Sequence, residues 1–398
     1  MITVDVARDL ILTNVPKPEF IYVTAEKCCG FVLAENIFSP VDLPPFDQSA
    51  MDGYAISVSD VNKGITKFDV AGEVRAGGSR KIRAGNGKAV RIFTGAMVPS
   101  GYDCVVMQEN VTCTGNVLDI HINDIFPGLN IRKRGSQIKK GQMALSRQTV
   151  INPAGAGFIA SMGLTRVKSY QNPGVAVIAT GDELVLPGRK PGTGEIYESN
   201  TVTIISALRQ MGIDEIFRLR CRDRKEEMIR IVRSYINKAD IFLFTGGISE
   251  GKYDLVKDVL MKAGVRTIFH GVKQKPGKPL YAGRKKKKIF FGLPGNPAAA
   301  LTCFYEYVYP YIRKIQGFTE ITLPVSKYRT GKPIRKKPGK AWFMKSKIMG
   351  NSVIPLDGQE SFIMKSFAQA DSLIYLPPAK EKVRKGEWVE VHRLPYQQ

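Results

Sequence analysis

Histidine is scarce in this 398-residue chain: there are three, and none lies near another. Metal centres and nucleophile–base pairs draw heavily on imidazole, so a histidine-based mechanism loses most of its ground. The six cysteines (Cys28, Cys29, Cys104, Cys113, Cys221, Cys303) include no CxxC pair, which argues against a disulfide framework or a zinc site. No apolar run approaches the roughly 20 residues needed to span a bilayer, and no low-complexity tract occurs. Asp5, Arg8 and Asp9 interrupt the first apolar positions, so the opening residues lack the basic head and apolar core of a secretory signal. A cytoplasmic protein with no membrane contact is expected. Acidic residues are also few: 36 against 59 lysines and arginines leaves a net charge of +23. Such a balance gathers polyanions, whether nucleic acid, nucleotides or oxyanions. No helix-turn-helix, zinc-finger or RNA-recognition signature accompanies the charge, so nucleic acid accounts for the charge and nothing else.

What is present divides the chain by pattern. Residues 1–43 hold a helix around Val4 to Leu12 and end in Leu43-Pro44-Pro45-Phe46, where the prolines mark a change of domain. Residues 44–138 carry short β segments with frequent glycines, a β-rich module. Residues 139–171 return to the first region, with a small-residue helix over Gly155 to Met162 stopped by Gly163. Residues 172–319 alternate strands with helices of about a dozen residues, the mark of a parallel α/β sheet. Pro310 should divide the last helix of that stretch. From 320 to 398, short strands and turns such as Gly350-Asn351 suggest a small β-barrel or sandwich. The basic runs Arg284 to Lys288 and Arg335, Lys336, Lys337, Lys340 fit solvated loops, the first of them a hairpin.

The centre of the pattern is residues 240–258. Ile241 to Phe244 is an apolar run without alternation, as in a strand buried on both faces, and it ends abruptly in Thr245-Gly246-Gly247. Glycines at the carboxyl end of a central strand let backbone N–H groups approach an anion closely. The other candidates sit at equivalent strand ends: Thr180-Gly181-Asp182-Glu183, Asp223, Ser249 to Asp254, and Leu293-Pro294-Gly295-Asn296-Pro297, with Lys275 and Lys278 nearby. Carboxylates beside phosphate-cradling turns call for Mg²⁺. Structural alternatives stand beside each. Asp223 with Glu226 fits a capping box, Asp254 could cap its own helix, Glu183 could be a solvated loop residue, and the two lysines could be surface charge. The β-rich module offers a second cluster, Asp47 to Ala55 with Thr94-Gly95-Ala96 and Arg132 to Gly135, where Asp52-Gly53 could be a turn and Arg132 to Arg134 a basic edge.

In this order the motifs resemble the molybdopterin molybdenumtransferase family, which includes MoeA and the E domain of gephyrin. The resemblance rests on Pro44 to Asp47, Ser49 to Ala55, Phe93 to Ala96, Arg132 to Gly135, Thr180 to Leu184 and Thr245 to Ser249. It continues through Lys275 to Pro279, Leu293 to Pro297 and Gly358…Ser361…Ser366…Ala370, and so covers nearly the whole chain. It implies a split N-terminal domain, a glycine-rich β module, a MoaB/MogA-like α/β domain and a C-terminal β-barrel. It further implies a homodimer whose site lies between the α/β domain of one subunit and the β module of the other. The implied reaction inserts molybdate, or tungstate, into adenylylated molybdopterin with Mg²⁺-assisted release of AMP. Carried over by position, Asp52, Thr94, Glu183, Asp223 and Asp254 would be catalytic, with Asp52, Asp223 and Asp254 on the metal. Gly246, Gly247, Ser249, Lys275, Lys278, Pro294, Asn296, Pro297 and Arg134 would bind substrate. Gln137, Glu250 and Lys252 depart from the family pattern. Two other functions stay open: an adenylyltransferase, which should carry Thr-Gly-Gly-Thr-Gly where this chain has Ile248-Ser249 after its glycines, and a non-catalytic gephyrin-like scaffold.

Overall fold

The structure, a computed structural model, describes residues 1–78, 82–248 and 255–395. The chain separates into two compact units. One comprises Met1–Tyr22, Gly30–Ala34 and Lys168–Gln398, the other Val23–Cys29 and Glu35–Val167.

The first unit is built on a six-stranded sheet ordered Ile216–Cys221, Val175–Thr180, Ile241–Thr245, Lys288–Leu293, Tyr281–Lys285, Arg266–His270. Its first four strands run parallel. Tyr281–Lys285 runs antiparallel to both its neighbours, Arg266–His270 and Lys288–Leu293, and is joined to the latter by a hairpin turn in the basic Arg284 to Lys288 run with Lys286 at φ 54°. The sheet is therefore mixed, not wholly parallel. Alternate residues of its central strands enter two separate cores: Val175, Val177, Leu243 and Phe291 pack on one face, Ala176, Ile178, Phe242, Phe244 and Phe290 on the other. Burial on both faces is why the middles of these strands are continuously apolar. Helices Asn200–Gln210, Lys225–Tyr235 and Leu255–Lys262 follow the first three parallel strands in chain order.

After Lys288–Leu293 the chain forms helix Pro297–Cys303, a π turn over Phe304–Val308 and helix Tyr309–Ile315. Pro310 lies in the first turn of that last helix and has no N–H to give the preceding turn, which widens there. The C-terminal strands close into a five-stranded barrel: Ala341–Met349, Ser352–Pro355, Val325–Thr330, Trp388–Arg393, Ser372–Leu376 and back to Ala341–Met349. The barrel is fastened to the α/β layer by the short strand Gln274–Lys275, which runs parallel to Ala341–Trp342.

The second unit contains a six-stranded sheet ordered Cys104–Met107, Gly53–Ile56, Lys88–Ile92, Lys67–Val74, Val117–Ile120, Val111–Thr114. Gly53 is forced by close approach, since a Cβ there would overlap the carbonyl of Val106. Among the described residues no helix is long and apolar enough to cross a membrane.

Candidate functional site

The four parallel strands are neighbours, so the loops at their carboxyl ends share one rim, which is where an open α/β sheet binds ligands. At its middle, Gly246 and Gly247 take φ +102° and +66°. A Cβ on Gly246 would lie 2.7 Å from the Thr180 carbonyl oxygen, and one on Gly247 2.8 Å from Thr180 Oγ1. The turn thus lies flat against the neighbouring strand end, a packing only glycine permits. The hydroxyls of Thr180 and Thr245 and the side-chain oxygen of Asn200 are buried on this rim with no hydrogen-bond partner among the described residues. Buried polar atoms without partners are rare enough to point to a ligand.

Beside the glycine turn is a cavity of about 490 Å³ lined by Lys275, Lys278, Pro294, Asn296, Lys340 and Ser361, among others. Asn296 occupies the N-cap position of helix Pro297–Cys303, but its amide does not cap. It donates instead to Ser361 Oγ at 2.7 Å, drawing a barrel loop onto the rim. Asn200 donates to the Gly295 carbonyl at 2.8 Å and fixes the other side of the same turn. Pro297 shapes the first helical turn and does not line the cavity. The lysine-bearing loop is held from beneath. Gln274, buried, donates to the Pro276 carbonyl at 2.9 Å, and the Tyr307 hydroxyl, from the π turn, donates to the Gln274 side-chain oxygen. Lysine ammoniums, a serine hydroxyl and a proline–glycine turn suit a tetrahedral dianion.

The carboxylates gather on the same rim. Burial, then the nearby charges of Glu183 and Asp182, push the Asp223 carboxyl above its ordinary value. The capping alternative for Asp223 is not what forms: helix Lys225–Tyr235 is capped at Arg224 with no side-chain bond. Like charges collected with no ion pair among the described residues fit a divalent cation completed by substrate oxygens. Among the described residues, no three Asp, Glu, His or Cys side chains are close enough to hold a metal by themselves. Ser249 and Asp254 lie outside the described residues.

In the second unit Asp52 and Thr94 do come together. Asp52 Oδ1 accepts from both the Thr94 N–H and its hydroxyl, each at 2.7 Å. These two donors, backbone first, hold the exposed Asp52 carboxyl below its ordinary value. The pairing is set by the ladder beneath it, in which the Ser49 N–H donates to the Ala96 carbonyl and the Gly95 N–H to the Ser49 carbonyl, both at 2.9 Å. Arg134 is engaged by acids: its Nε donates to Asp42 at 2.7 Å and its backbone N–H to Asp47 at 2.8 Å.

Lys340, Ser361, Gln274 and Tyr307 were missed as site residues. For the first two a signal was present, in the basic run 335–340 and the Gly358…Ser361 spacing. The buried pair Gln274 and Tyr307 carries none, since nothing local distinguishes it from ordinary core and loop residues.

Comparison with known proteins bears on this geometry. The MoeA N-terminal region (domain I and II) matches residues 2–163, a probable molybdopterin binding domain residues 176–314, and the MoeA C-terminal region (domain IV) residues 327–394. A molybdopterin molybdenumtransferase of Haemophilus influenzae is 33% identical over 98% of both chains. One from Staphylococcus aureus strain Mu50 is 30% identical over 93% of this chain and 90% of its own. A crystal structure of a molybdopterin biosynthesis MoeA protein from Pyrococcus horikosii superposes with a TM-score of 0.83 at 30% identity, covering 99% of each chain.

Proposed function

This chain belongs to the molybdopterin molybdenumtransferase family and is a transferase of molybdenum cofactor biosynthesis, and we propose that it inserts molybdate into adenylylated molybdopterin and releases AMP. One observation carries the reading: the cavity where Lys275, Lys278, Lys340 and Ser361 meet beside the Gly246-Gly247 turn. Its lysines neutralise a tetrahedral dianion such as molybdate or tungstate, while the glycine turn accepts a phosphate against its backbone. Asp223, with the charges of Glu183 and Asp182 nearby, would contribute to a Mg²⁺ site completed mainly by substrate phosphate oxygens. The ion would supply charge neutralisation across the phosphoanhydride. Asp52, fixed by Thr94 and kept ionised, would orient the attacking oxygen from the β module of a second copy in a homodimer. The unpaired state of all six cysteines suits a cytoplasmic protein.

The test is AMP release by the purified protein from adenylylated molybdopterin with Mg²⁺, with and without molybdate, beside Lys278→Ala and Asp52→Ala. Molybdate-dependent release that Lys278→Ala loses at low but not at high molybdate, and that Asp52→Ala loses at all concentrations, supports the assignment. Consumption of ATP and molybdopterin without AMP release from the adenylylated substrate would replace it with the adenylyltransferase. Inactivity in both assays would leave the scaffold.

A further inference from the structure

A second basic cavity lies beyond the first and is left unused by the transferase reading. It measures about 770 Å³, shares Lys275 and Lys340 with the inner pocket, and is walled otherwise by Arg335, Lys337, Lys382 and Trp342, with Glu381 its one carboxylate. Two features show a built site. Strands Ile334–Arg335 and Lys382–Val383 pair antiparallel with Arg335 directly opposite Lys382, an arrangement of like charges that costs a ladder stability unless an anion bridges it. Lys336 is buried, and its ammonium donates to the Lys340 and Pro378 carbonyls, each at 2.9 Å. That buried cation ties the 336–340 loop to Pro378, a few residues before the Lys382–Val383 strand, and so fixes the two basic segments that wall the cleft. Arg335, Lys337, Lys340 and Lys382 form no ion pair among the described residues.

We propose that this cleft is a binding site for a phosphoanhydride, the polyphosphate of a nucleotide, separate from the oxyanion pocket. Its volume greatly exceeds that of one tetrahedral oxyanion. Arg335 offers a planar fork to a phosphate, Lys337, Lys340 and Lys382 supply spread point charges, and Trp342 provides an apolar wall for a base. Lys275 stands over the Trp342 ring at 4.5 Å, so a ligand that draws Lys275 away alters the indole's surroundings.

Trp342 and Trp388 are the only tryptophans in the chain, so a Trp388→Phe protein reports this cleft by fluorescence. Titration with ATP and with inorganic pyrophosphate should change Trp342 emission saturably, whereas sulfate at equal ionic strength should not. Arg335→Glu and Lys382→Glu should each weaken ATP binding about tenfold or more, while Lys278→Ala, in the inner pocket, leaves it unchanged. No saturable response, or a response that both reversals leave intact, overturns the proposal. Tighter binding of random duplex DNA than of ATP at equal phosphate also overturns it, in favour of nucleic acid. A parallel measurement separates the two sources of phosphoanhydride: Arg335→Glu raises KM for adenylylated molybdopterin if the substrate's own tail occupies the cleft, and leaves KM unchanged if a free nucleotide does. Only this second arm depends on the proposed reaction, and wild-type molybdate-dependent AMP release checks that reaction independently.

Discussion

Replacing Glu306 by glutamine tests how the barrel is joined to the rest of its unit. Glu306 is buried in the π turn, where it accepts from Arg8 of the N-terminal helix and from His392 Nδ1 of the barrel at 2.8 Å. His392 Nε2 meets Glu390 at 3.0 Å. Burial alone would lower the His392 pKa, but Glu306 and then Glu390 override it and push it up to about 9, from 6.5. Burial likewise favours neutral Glu306, yet His392 and Arg8 hold it below its ordinary value. The signs follow. A raised histidine contributes its full ~3 kcal/mol below pH 6.5, somewhat less at pH 7, and almost nothing once the pH passes 9. The lowered carboxyl contributes above its ordinary value and is lost as the pH falls through its folded value. Glu306→Gln keeps the volume, removes the charge and leaves Arg8 without its acid, so a loss of about 3 kcal/mol or more is expected at pH 7. Urea unfolding followed by the two tryptophans, both in the C-terminal domain, measures it. The difference between wild type and variant should shrink by about 2–3 kcal/mol between pH 6 and pH 9. A difference that is flat across that range, or below about 0.5 kcal/mol at pH 7, would refute the reasoning.

Three further substitutions bear on the site. Gly247→Ala puts a Cβ 2.8 Å from Thr180 Oγ1 and 2.9 Å from Val256 Cγ2 at a left-handed φ of +66°, so it should cost about 1–3 kcal/mol and abolish AMP release; an active, equally stable variant would show that the turn has room to move. Tyr307→Phe removes only the hydroxyl that fixes Gln274, and should raise KM for molybdate about tenfold at nearly unchanged kcat. Equal losses in both constants would make Tyr307 merely structural. Thr94→Val deletes one of the two donors to Asp52, so the Asp52 pKa should move up towards its ordinary value, carrying the acid limb of the pH–rate profile to higher pH; an unmoved limb would separate Asp52 from the reaction.

Much of the fold was legible because burial leaves a local trace. Val175–Thr180 and Ile241–Thr245 are buried at every position and apolar up to their terminal threonines since helices or loops cover both faces, and that pattern needs no knowledge of partners. Turns were legible from their own residues: Gly350 and Lys286 stand at positive φ in hairpins their neighbours announced. The antiparallel edge was harder, because Arg266–His270 and Tyr281–Lys285 are short and their direction is set by a connection and not by composition. Boundaries moved by one or two residues where helix ends fray, as with the helix expected over Gly155 to Met162 and found at Pro153–Ser161.

The site divides along a different line. Residues whose role is written into their own turn, Gly246, Gly247, Asp52 and Asn296, could be placed from sequence because backbone geometry admits few alternatives at each. Even there the side chain's partner was not readable: Asn296 has the sequence of a cap and uses its amide on Ser361, 65 positions away. Lys340 and Ser361 join the pocket only because the barrel docks its Ala341–Met349 strand along Gln274–Lys275, a long-range pairing that no period announces. The Gln274–Tyr307 bond is of the same kind, spanning 33 positions. Local chemistry therefore located the rim, while the cations that define what the rim can hold depend on the docking of a separate barrel. That dependence ties function to the Arg8–Glu306–His392 junction: loosening it should weaken oxyanion binding before the α/β sheet itself unfolds.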